Sequence, residues 1–325
     1  MRLDPRFIGW GLFFIVFGAV LLGARQGWIP DDLVDRAWQL WPLVLVGIGL
    51  SILLAKRPGS QIGGLVVAVT FGIIAGSALA GGGFPFGGCG GDVDQGTPFG
   101  RESGDLGNGA TVEVNFSCGE LTVGTGSGAA WSLEGTSEGG VGPDISRDND
   151  RLKLETGEGR GPFGFGGAST AWRLTLPTEP AIAADLGVNA GSGSIDLAGA
   201  NLSRLGATVN AGSLRLDLRD AAALGGLNVG VNAGSAIVWL PELAFDGEIT
   251  ANAGSATICA PDSVGLRLVV GSNPISSNDF GQQGLVQVGD AWESPDFAAA
   301  GVRVTLRTAA NAGSLSLNPA RDCAG

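Results

Sequence analysis

Asp196 and Asp217 are the residues whose type and spacing come closest to a chemical site. Each follows the serine of an Asn-Ala-Gly-Ser tetrapeptide by four residues, so stacked strands would place the two carboxylates side by side on an outer surface. Two such carboxylates could bind a cation or share one proton. Other copies of the tetrapeptide carry Trp239, Cys259 and Asn318 at the same position, which favours an ordinary solvated surface.

Most other kinds of chemistry lack the residues that they need. The chain has no His, so a Ser-His-Asp or Cys-His arrangement cannot form. Its 4 Cys show no C-x-x-C spacing, and the tetrapeptides lack the recurring Asp of calcium-binding repeats. Runs such as "GSGSIDL" lack the Lys of a phosphate-binding loop. We therefore expect a protein that is not an enzyme and that binds no metal or cofactor.

Charge is divided unevenly along the chain. The 325 residues include 19 Lys and Arg against 31 Asp and Glu, a net charge of −12. Residues 1–79 hold six basic and four acidic groups, a net of +2, which leaves −14 for the remainder. Because proteins bind nucleic acid mainly by neutralising phosphates with Lys and Arg, we expect no nucleic-acid partner.

Three apolar stretches fill the first 80 residues, at 7–24, 37–55 and 62–80. Each is close to the ~20 residues that a helix needs to cross the hydrocarbon core of a bilayer. The sequence therefore predicts a region of three transmembrane helices at 1–80. A cleaved signal peptide is the alternative for the first stretch, but its apolar run is longer than a usual signal core and no clear A-x-A site follows.

Basic residues beside these stretches indicate the orientation. Arg2, Arg6, Lys56 and Arg57 lie in the N-terminal tail and the second connection, whereas the first connection has two basic residues. Since basic flanks favour the cytoplasmic side, we expect a cytoplasmic N-terminus and a C-terminal domain outside the cytoplasm. The Gly-rich segment 81–100 is typical of a flexible linker, and it leads to an outer domain at 101–325.

The tetrapeptide Asn-Ala-Gly-Ser occurs five times in the outer domain. Its asparagines are Asn189, Asn210, Asn232, Asn252 and Asn311, at intervals of 21, 22, 20 and 59 residues. The last interval is close to three periods, so we expect diverged or interrupted units within it. Self-similarity at such a period predicts a solenoid or a related array.

Apolar and polar residues alternate around each copy, which predicts half-buried strands. Each unit is then a strand, an Asn-Ala-Gly-Ser corner and a second strand, so the sequence predicts an all-β solenoid with rungs of 20–22 residues. In a stack the asparagines would form a ladder at ~4.8 Å spacing and satisfy polar groups buried at the corner. The residues predicted to face inward are Ile195, Leu197, Leu214, Leu216, Leu218, Ala236, Val238, Leu240, Ala256, Ile258 and Ala260.

An earlier segment extends the repeat. "NFSCGELTV", at 115–123, aligns without gaps on "NAGSGSIDL", so that Asn115 matches Asn189 and Gly119 matches Gly193. We therefore expect Asn115 at the corner of the first rung.

The four cysteines are expected to form two disulfides in an oxidising exterior. We predict Cys259 with Cys323 and Cys89 with Cys118, because each pair would tie one end of the solenoid. Free buried thiols are the alternative.

The first 57 residues resemble the LiaI/LiaF-type transmembrane region. The likeness rests on the Gly-rich "IGWGLFFIVFGAVLLG" and on the Trp-x-x-Trp-Pro of Trp38, Trp41 and Pro42. The back half resembles the toast-rack and "putative adhesin" β-solenoid domains, including the C-terminal domain of LiaF, through "NFSCGELTV" and the later tetrapeptides. LiaF-type proteins are implied to restrain a histidine kinase that responds to cell-envelope stress.

Two functions at the cell envelope follow from these features. In the first, the protein is a membrane-anchored stress-response regulator or sensor, whose partners are the lipid bilayer and a membrane histidine kinase or another envelope protein. In the second, it is a surface adhesin or scaffolding module that binds wall polymer through a solenoid face. An exposed row of aromatic residues would favour the second, and the candidates are Trp131, Trp172, Trp239 and Trp292.

Overall fold

The structure is a computed structural model, and it describes residues 14–19, 46, 69–70, 73, 96–137, 140–148, 150–156, 170–271 and 277–323. The chain divides into two compact units, Met1–Gly88 and Cys89–Gly325. In the first unit residues 14–19 are helical, whereas most of the three predicted transmembrane stretches and most of the predicted linker lie outside the described residues. The described part of the chain holds no helix that is long and apolar enough to cross a membrane.

The described part of the second unit consists mainly of strands, and the first of them begins slightly before the predicted domain start at residue 101. The described strands are β1 (Thr97–Asp105), β2 (Thr111–Gly126), β3 (Ala130–Ser137), β4 (Asp144–Asp148), β5 (Arg151–Glu155), β6 (Thr170–Pro177), β7 (Ile182–Asp196), β8 (Asn201–Asp217), β9 (Ala223–Leu224), β10 (Gly226–Trp239), β11 (Phe245–Ala251), β12 (Ser255–Cys259), β13 (Val264–Val270), β14 (Ser277–Asn278), β15 (Val286–Val288), β16 (Ala291–Glu293), β17 (Val302–Ala310) and β18 (Ser314–Leu317). A short helix, Ala320–Cys323, follows.

Parallel strands form the central stack. β2, β7, β8 and β10 pair in that order, and β10 then pairs with β11 and β12. β17 continues from β11, and β18 continues from β12. Each of these layers is one rung, with two arms that meet at the corner tetrapeptide. The second unit is therefore a stack of parallel β-rungs of the predicted kind.

Apolar residues of both arms face a common interior. In β8 the first arm buries Leu205, Ala207 and Val209, and the second arm buries Leu214 and Leu216, each 1% exposed or less. Equivalent positions on neighbouring rungs join them in one continuous cluster. The residues predicted to face inward are buried except Ala260, which is partly buried against the cluster. Because each rung contributes few apolar residues, the interior is completed only by stacking.

The last rungs are out of chain order. β17 pairs with β11 on one side and with β13 on the other, although β13 comes before β17 in the sequence. Asn252 and Asn311 therefore lie on adjacent rungs. The interval does contain the expected diverged or interrupted unit, formed by β13 and β14, but this unit stacks outside β17 and β18 and not between Asn252 and Asn311.

Antiparallel strands close both ends of the stack. At one end β5 and β6 lie outside β2, with β4 antiparallel to β5, β3 antiparallel to β6 and β1 antiparallel to β3. At the other end β16 pairs antiparallel with β13, and β15 pairs with β16. This change of direction ends the parallel stacking, so the outermost strands no longer offer the pairing pattern of a rung.

β2 enters the stack two residues away from the register that the ungapped alignment predicted. Gly119 pairs with Gly191, and Asn115 pairs with Gly187, so Ser-Cys-Gly-Glu at 117–120 forms the first corner. The expectation for Asn115 was wrong. A shift of two residues leaves the same side chains facing the core, so the apolar alternation fits both registers equally well. The glycine at the corner decides between them.

Candidate functional site: the corner columns

Glycine forms the tightest point of each corner. Gly119, Gly191, Gly212 and Gly234 have φ angles of 116°, 115°, 134° and 155°, a region that favours glycine. A Cβ on Gly212 would overlap the carbonyl oxygen of Gly191, and Gly234 has the same relation to Gly212. The corner therefore requires glycine for two reasons, the backbone angle and the close approach of successive rungs.

Asparagine side chains form a ladder beside the glycine column. The Nδ2 of Asn210 donates to Oδ1 of Asn189 at 2.6 Å, and Asn232 donates to Asn210 at 2.5 Å. Asn252 donates to Asn232 at 2.7 Å, and Asn311 donates to Asn252 at 2.6 Å. The ladder is exposed, so the expectation that it satisfies buried groups was wrong. Its hydrogen bonds instead order the solvent-facing edge of the corner.

Asn115 lies outside this ladder. Its Nδ2 is 3.3 Å from Oε1 of Glu155 and 3.4 Å from Oε1 of Glu113, both on the outer surface of the first arm. The Glu155 carboxylate also forms an ion pair of 2.8 Å with Lys153. Hydrogen bonding from Lys153 is the main cause that lowers the pKa of Glu155. Asn115 thus belongs to a surface polar cluster rather than to a corner.

Serine residues form a second column on the other side of the glycines. Ser192, Ser213, Ser235, Ser255 and Ser314 pair from rung to rung, and Ser277 of β14 pairs with Ser314. At the end of the column where β12, β18 and β14 stack, Ser255, Ser277 and Ser314 border an open hollow of about 410 Å³. The corner therefore presents a regular polar surface that repeats at the strand spacing of ~4.8 Å.

Asp196 and Asp217 are neighbours on the outer surface, paired between β7 and β8. Asp217 is engaged by Arg219, whose Nη2 lies 2.6 Å from Oδ2. The Arg219 hydrogen bond is the main cause that holds the pKa of Asp217 below its usual value, and burial opposes it. In the described part of the chain no group of three His, Cys, Asp or Glu is arranged to hold a metal ion. One carboxylate of the pair, that of Asp217, is therefore engaged in an ion pair with Arg219.

The column of Asp196 and Asp217 continues through Trp239 to Cys259. Trp239 pairs with Asp217 on one side and with Cys259 on the other, and Cys259 is joined to Cys323 by a disulfide with Cα atoms 5.4 Å apart. The bond fastens the short C-terminal helix to the outer surface of β12. At the other end Cys118, in the first corner, is also disulfide-bonded. Cys89 lies outside the described residues, so its pairing with Cys118 stays a prediction.

The four tryptophans of the second unit do not form an exposed row. Trp131 and Trp172 are 1% and 3% exposed and belong to the core, where Trp172 packs edge-on against Phe116 at 5.2 Å. Trp239 and Trp292 are partly buried. The aromatic row that would favour an adhesive face is therefore absent from these four positions.

A charged cleft lies on the cap formed by β1, β3 and β6, and the sequence patterns did not point to it. Its volume is about 460 Å³. The carboxylate of Glu134 lies between two guanidinium groups, 3.8 Å from Arg101 and 3.8 Å from Arg173. These three residues come from three strands, so no local spacing could have indicated the cluster.

The fold and the corner columns define a β-solenoid, and the sequence joins it to an apolar N-terminal region. Residues 8–53 match the LiaI-LiaF-like transmembrane region. Residues 103–238 match the N-terminal domain of toast_rack, DUF2154. The chain therefore joins a LiaI-LiaF-like transmembrane region to a toast_rack domain, which confirms the resemblance drawn from its motifs. It is a membrane-anchored envelope protein.

Solved structures that match this chain come from several bacteria. A "putative cell adhesion protein" from Clostridium sporogenes is 16% identical, with a TM-score of 0.44 over 68% of this chain and 99% of that chain. A "putative adhesin" from Bacteroides fragilis is 11% identical, with a TM-score of 0.25 over 68% of this chain and 97% of that chain. A "putative lipid binding protein" from Parabacteroides distasonis is 11% identical, with a TM-score of 0.25 over 69% of this chain and 98% of that chain. No curated protein matches the chain.

Proposed function

We propose that this protein is a regulator or sensor of cell-envelope stress that acts by protein–protein interaction. The observation that carries the proposal is the presence of both matched regions in one chain, the LiaI-LiaF-like region at 8–53 and the toast_rack domain at 103–238. In this arrangement three helices hold the chain in the membrane, with the N-terminus in the cytoplasm. The solenoid lies outside the cytoplasm, and the helices contact a membrane histidine kinase.

The charge distribution supports the orientation. The first 79 residues have a net charge of +2 with most basic groups in the predicted cytoplasmic flanks, and the remainder has a net charge of −14. The basic residues in the short flanks carry this argument, because the charge of a long domain has little influence on the orientation.

The chemistry of the solenoid supports binding rather than catalysis. The carboxylates closest to a catalytic pair are Asp196 and Asp217, and the second of these is held by Arg219 at 2.6 Å. The three corner columns, of asparagine, glycine and serine, are repeated from rung to rung, as expected for a surface that is selected for shape and rigidity. We therefore assign the protein no reaction.

In-cell photo-crosslinking tests this proposal. A photoreactive phenylalanine analogue at Phe13 or Phe17 in the first apolar stretch is expected to capture a membrane histidine kinase, identified by mass spectrometry. The matched control places the same analogue at Phe297 in the solenoid. Capture of lipid alone at Phe13 and Phe17, with no kinase, would contradict the proposal.

An adhesin is the second candidate, and the exposed asparagine and serine columns favour it because they offer repeated hydrogen-bonding groups to a polymer. The test is sedimentation of the detergent-solubilised full chain with isolated cell-wall polymer. Co-sedimentation that is lost when Ser213 and Ser235 are both replaced by Leu would support adhesion. Equal recovery with and without polymer would exclude it.

A further inference from the structure

Strand β1 is an edge strand at the first end of the stack. It pairs with β3 alone among the described strands, and the pairing is interrupted by a register shift between Phe99 and Glu102. Of its nine residues only Phe99 is buried, at 8% exposure. The ring of Phe99 lies against Gly135, where a Cβ would come within 3.0 Å of it. Little apolar burial therefore opposes the separation of β1 from β3.

A side chain of β4 also helps to hold β1 in place. Arg147 of β4 donates from Nη2 to the carbonyl oxygen of Ser103 at 2.9 Å. The Arg147 guanidinium also lies over the ring of Trp131, with Cζ 4.7 Å from the ring centroid. Arg147 thus joins β4 to β1 across Trp131 of β3, a contact that the sheet hydrogen bonds do not provide.

Gly104 makes room for this contact. It is the register partner of Trp131, and a Cβ at Gly104 would overlap the Arg147 guanidinium. The absence of a side chain at this one position of β1 allows the guanidinium to reach both the indole ring and the Ser103 carbonyl. We call Gly104, Trp131 and Arg147 the clasp.

The clasp covers a polar group that is left without a partner. Trp131 is 1% exposed, and its Nε1 has no hydrogen-bond partner among the described residues. A buried N–H without an acceptor is unfavourable, and water could reach it if β1 moved away. The closed arrangement therefore carries a penalty that opening relieves, which lowers the free energy needed to open.

We propose that β1 is a releasable strap, which separates from β3 as a unit while the rungs stay folded, and that the Arg147 clasp sets how often it opens. Leu106, 9% exposed and bonded from its N–H to the Ala129 carbonyl at 2.9 Å, is the hinge. Opening removes Phe99 and Arg101 from the charged cleft and uncovers the edge of β3. Neither Cys118 nor the Cys259–Cys323 pair lies in β1, so opening breaks no described covalent bond.

The strap does not depend on the proposed regulation, because β1 would open whether or not a kinase is the partner. β1 begins near the end of the predicted Gly-rich linker at 81–100 and is the first described strand, so it is the described solenoid strand nearest in sequence to the membrane region.

Hydrogen–deuterium exchange of the full chain in detergent micelles tests the strap. Arg147→Ala is expected to speed exchange of the amides of β1 about tenfold, which corresponds to ~1.4 kcal/mol, and to leave the amides of β8 unchanged. Gly104→Ala keeps Arg147 but displaces its guanidinium, so it is expected to have the same effect. Arg303→Ala, at an exposed arginine of β17, is the matched control and should change neither strand.

Three outcomes would overturn the proposal. The first is exchange of β1 at the wild-type rate in Arg147→Ala and Gly104→Ala. The second is equal acceleration of β1 and β8, which would mean that the clasp stabilises the whole solenoid. A disulfide between Ser103→Cys and Ser132→Cys, which are register partners, provides a further check. With β1 locked in this way, Arg147→Ala should no longer accelerate exchange, and persistent acceleration would also overturn the strap.

Discussion

Asn311 donates a hydrogen bond of 2.6 Å from its side-chain amide to Oδ1 of Asn252, a residue 59 positions earlier in the chain. The two asparagines occupy the same corner position on adjacent rungs, since β17 and β18 lie directly beside β11 and β12. The regularity of the corner is therefore set by the stacking of rungs and not by the order in which the chain supplies them.

The glycine column should be the most sensitive part of the corner. Gly212→Ala is expected to lower the free energy of unfolding by about 3 kcal/mol, because the new Cβ would meet the Gly191 carbonyl and because φ at Gly212 is in the left-handed region. Thermal unfolding of the full chain, followed by circular dichroism at a β-sheet wavelength, measures the effect. Gly124→Ala, at a position with open space around it, is the control and should melt with the wild type. Equal melting of both variants would show that the corner tolerates a side chain.

The ladder should contribute according to the number of hydrogen bonds that each asparagine makes. Asn232→Ala removes two ladder bonds and is expected to cost about 1 kcal/mol, whereas Asn189→Ala removes one and should cost about half as much. Urea denaturation of each variant measures the difference. Asn228→Ala, on the exposed outer surface of β10, is the control. A larger loss in Asn189→Ala than in Asn232→Ala would contradict an additive ladder.

The Cys259–Cys323 disulfide should stabilise the far end of the stack. It closes a segment with a sequence separation of 64 residues, and Cys259→Ser with Cys323→Ser is expected to cost ~2–4 kcal/mol of stability. Denaturant unfolding under oxidising conditions measures this loss, and an unchanged midpoint would mean that the bond is dispensable.

Peptide mapping without reduction should also recover a peptide that joins Cys89 to Cys118. Recovery of Cys89 as a free thiol would refute that second pairing.

Acid should weaken the ion pair on the outer surface of β8. Arg219 lowers the pKa of Asp217 below the usual 3.8, so the folded state favours the charged carboxylate. The stabilisation is fully present above pH 3.8 and is lost as the pH falls from 3.8 through the lowered pKa. The stability gap between the wild type and Arg219→Gln should therefore be constant near neutral pH and shrink in acid. A gap that widens as the pH falls would show that the carboxyl is not the group involved.

The orientation predicts where Cys323 can be labelled. After mild reduction of intact cells, a membrane-impermeant maleimide should modify Cys323, as detected by mass spectrometry of the C-terminal peptide. A cytoplasmic protein with an accessible thiol serves as the negative control. Labelling of Cys323 only after cell lysis would reverse the proposed orientation.

The corner tetrapeptide shows which structural features the sequence could predict and which it could not. Period-two alternation around Asn210 and Asn232 predicted the buried residues of β8 and β10, because inward and outward positions are fixed by local geometry. The same alternation left the register of β2 open by two residues, and Asn115 was assigned to a corner for that reason. The signal that settles the register was present in the corner glycine, since Gly119 corresponds to Gly191 and not to Gly193, on which the ungapped alignment placed it.

Long-range order was harder to predict than local structure. The spacing of Asn252 and Asn311 indicated extra residues but not that β13 would lie outside β17, because rung order depends on pairing energies between distant segments. Arg101, Glu134 and Arg173 likewise meet only through the pairing of β1, β3 and β6. Clusters of this kind have no sequence period and become visible only once the strands are placed.

The reversed order of the last rungs has a consequence for biosynthesis. β17 and β18 fill the space between β11 and β12 on one side and β13 and β14 on the other, yet the ribosome makes them after all four. During synthesis the rungs cannot be added strictly in the order of the sequence, because β13 and β14 lie outside strands that are made after them. β13 and β14 can therefore reach their final pairing only after β17 and β18 have been made, so the outer layer of the stack is completed last.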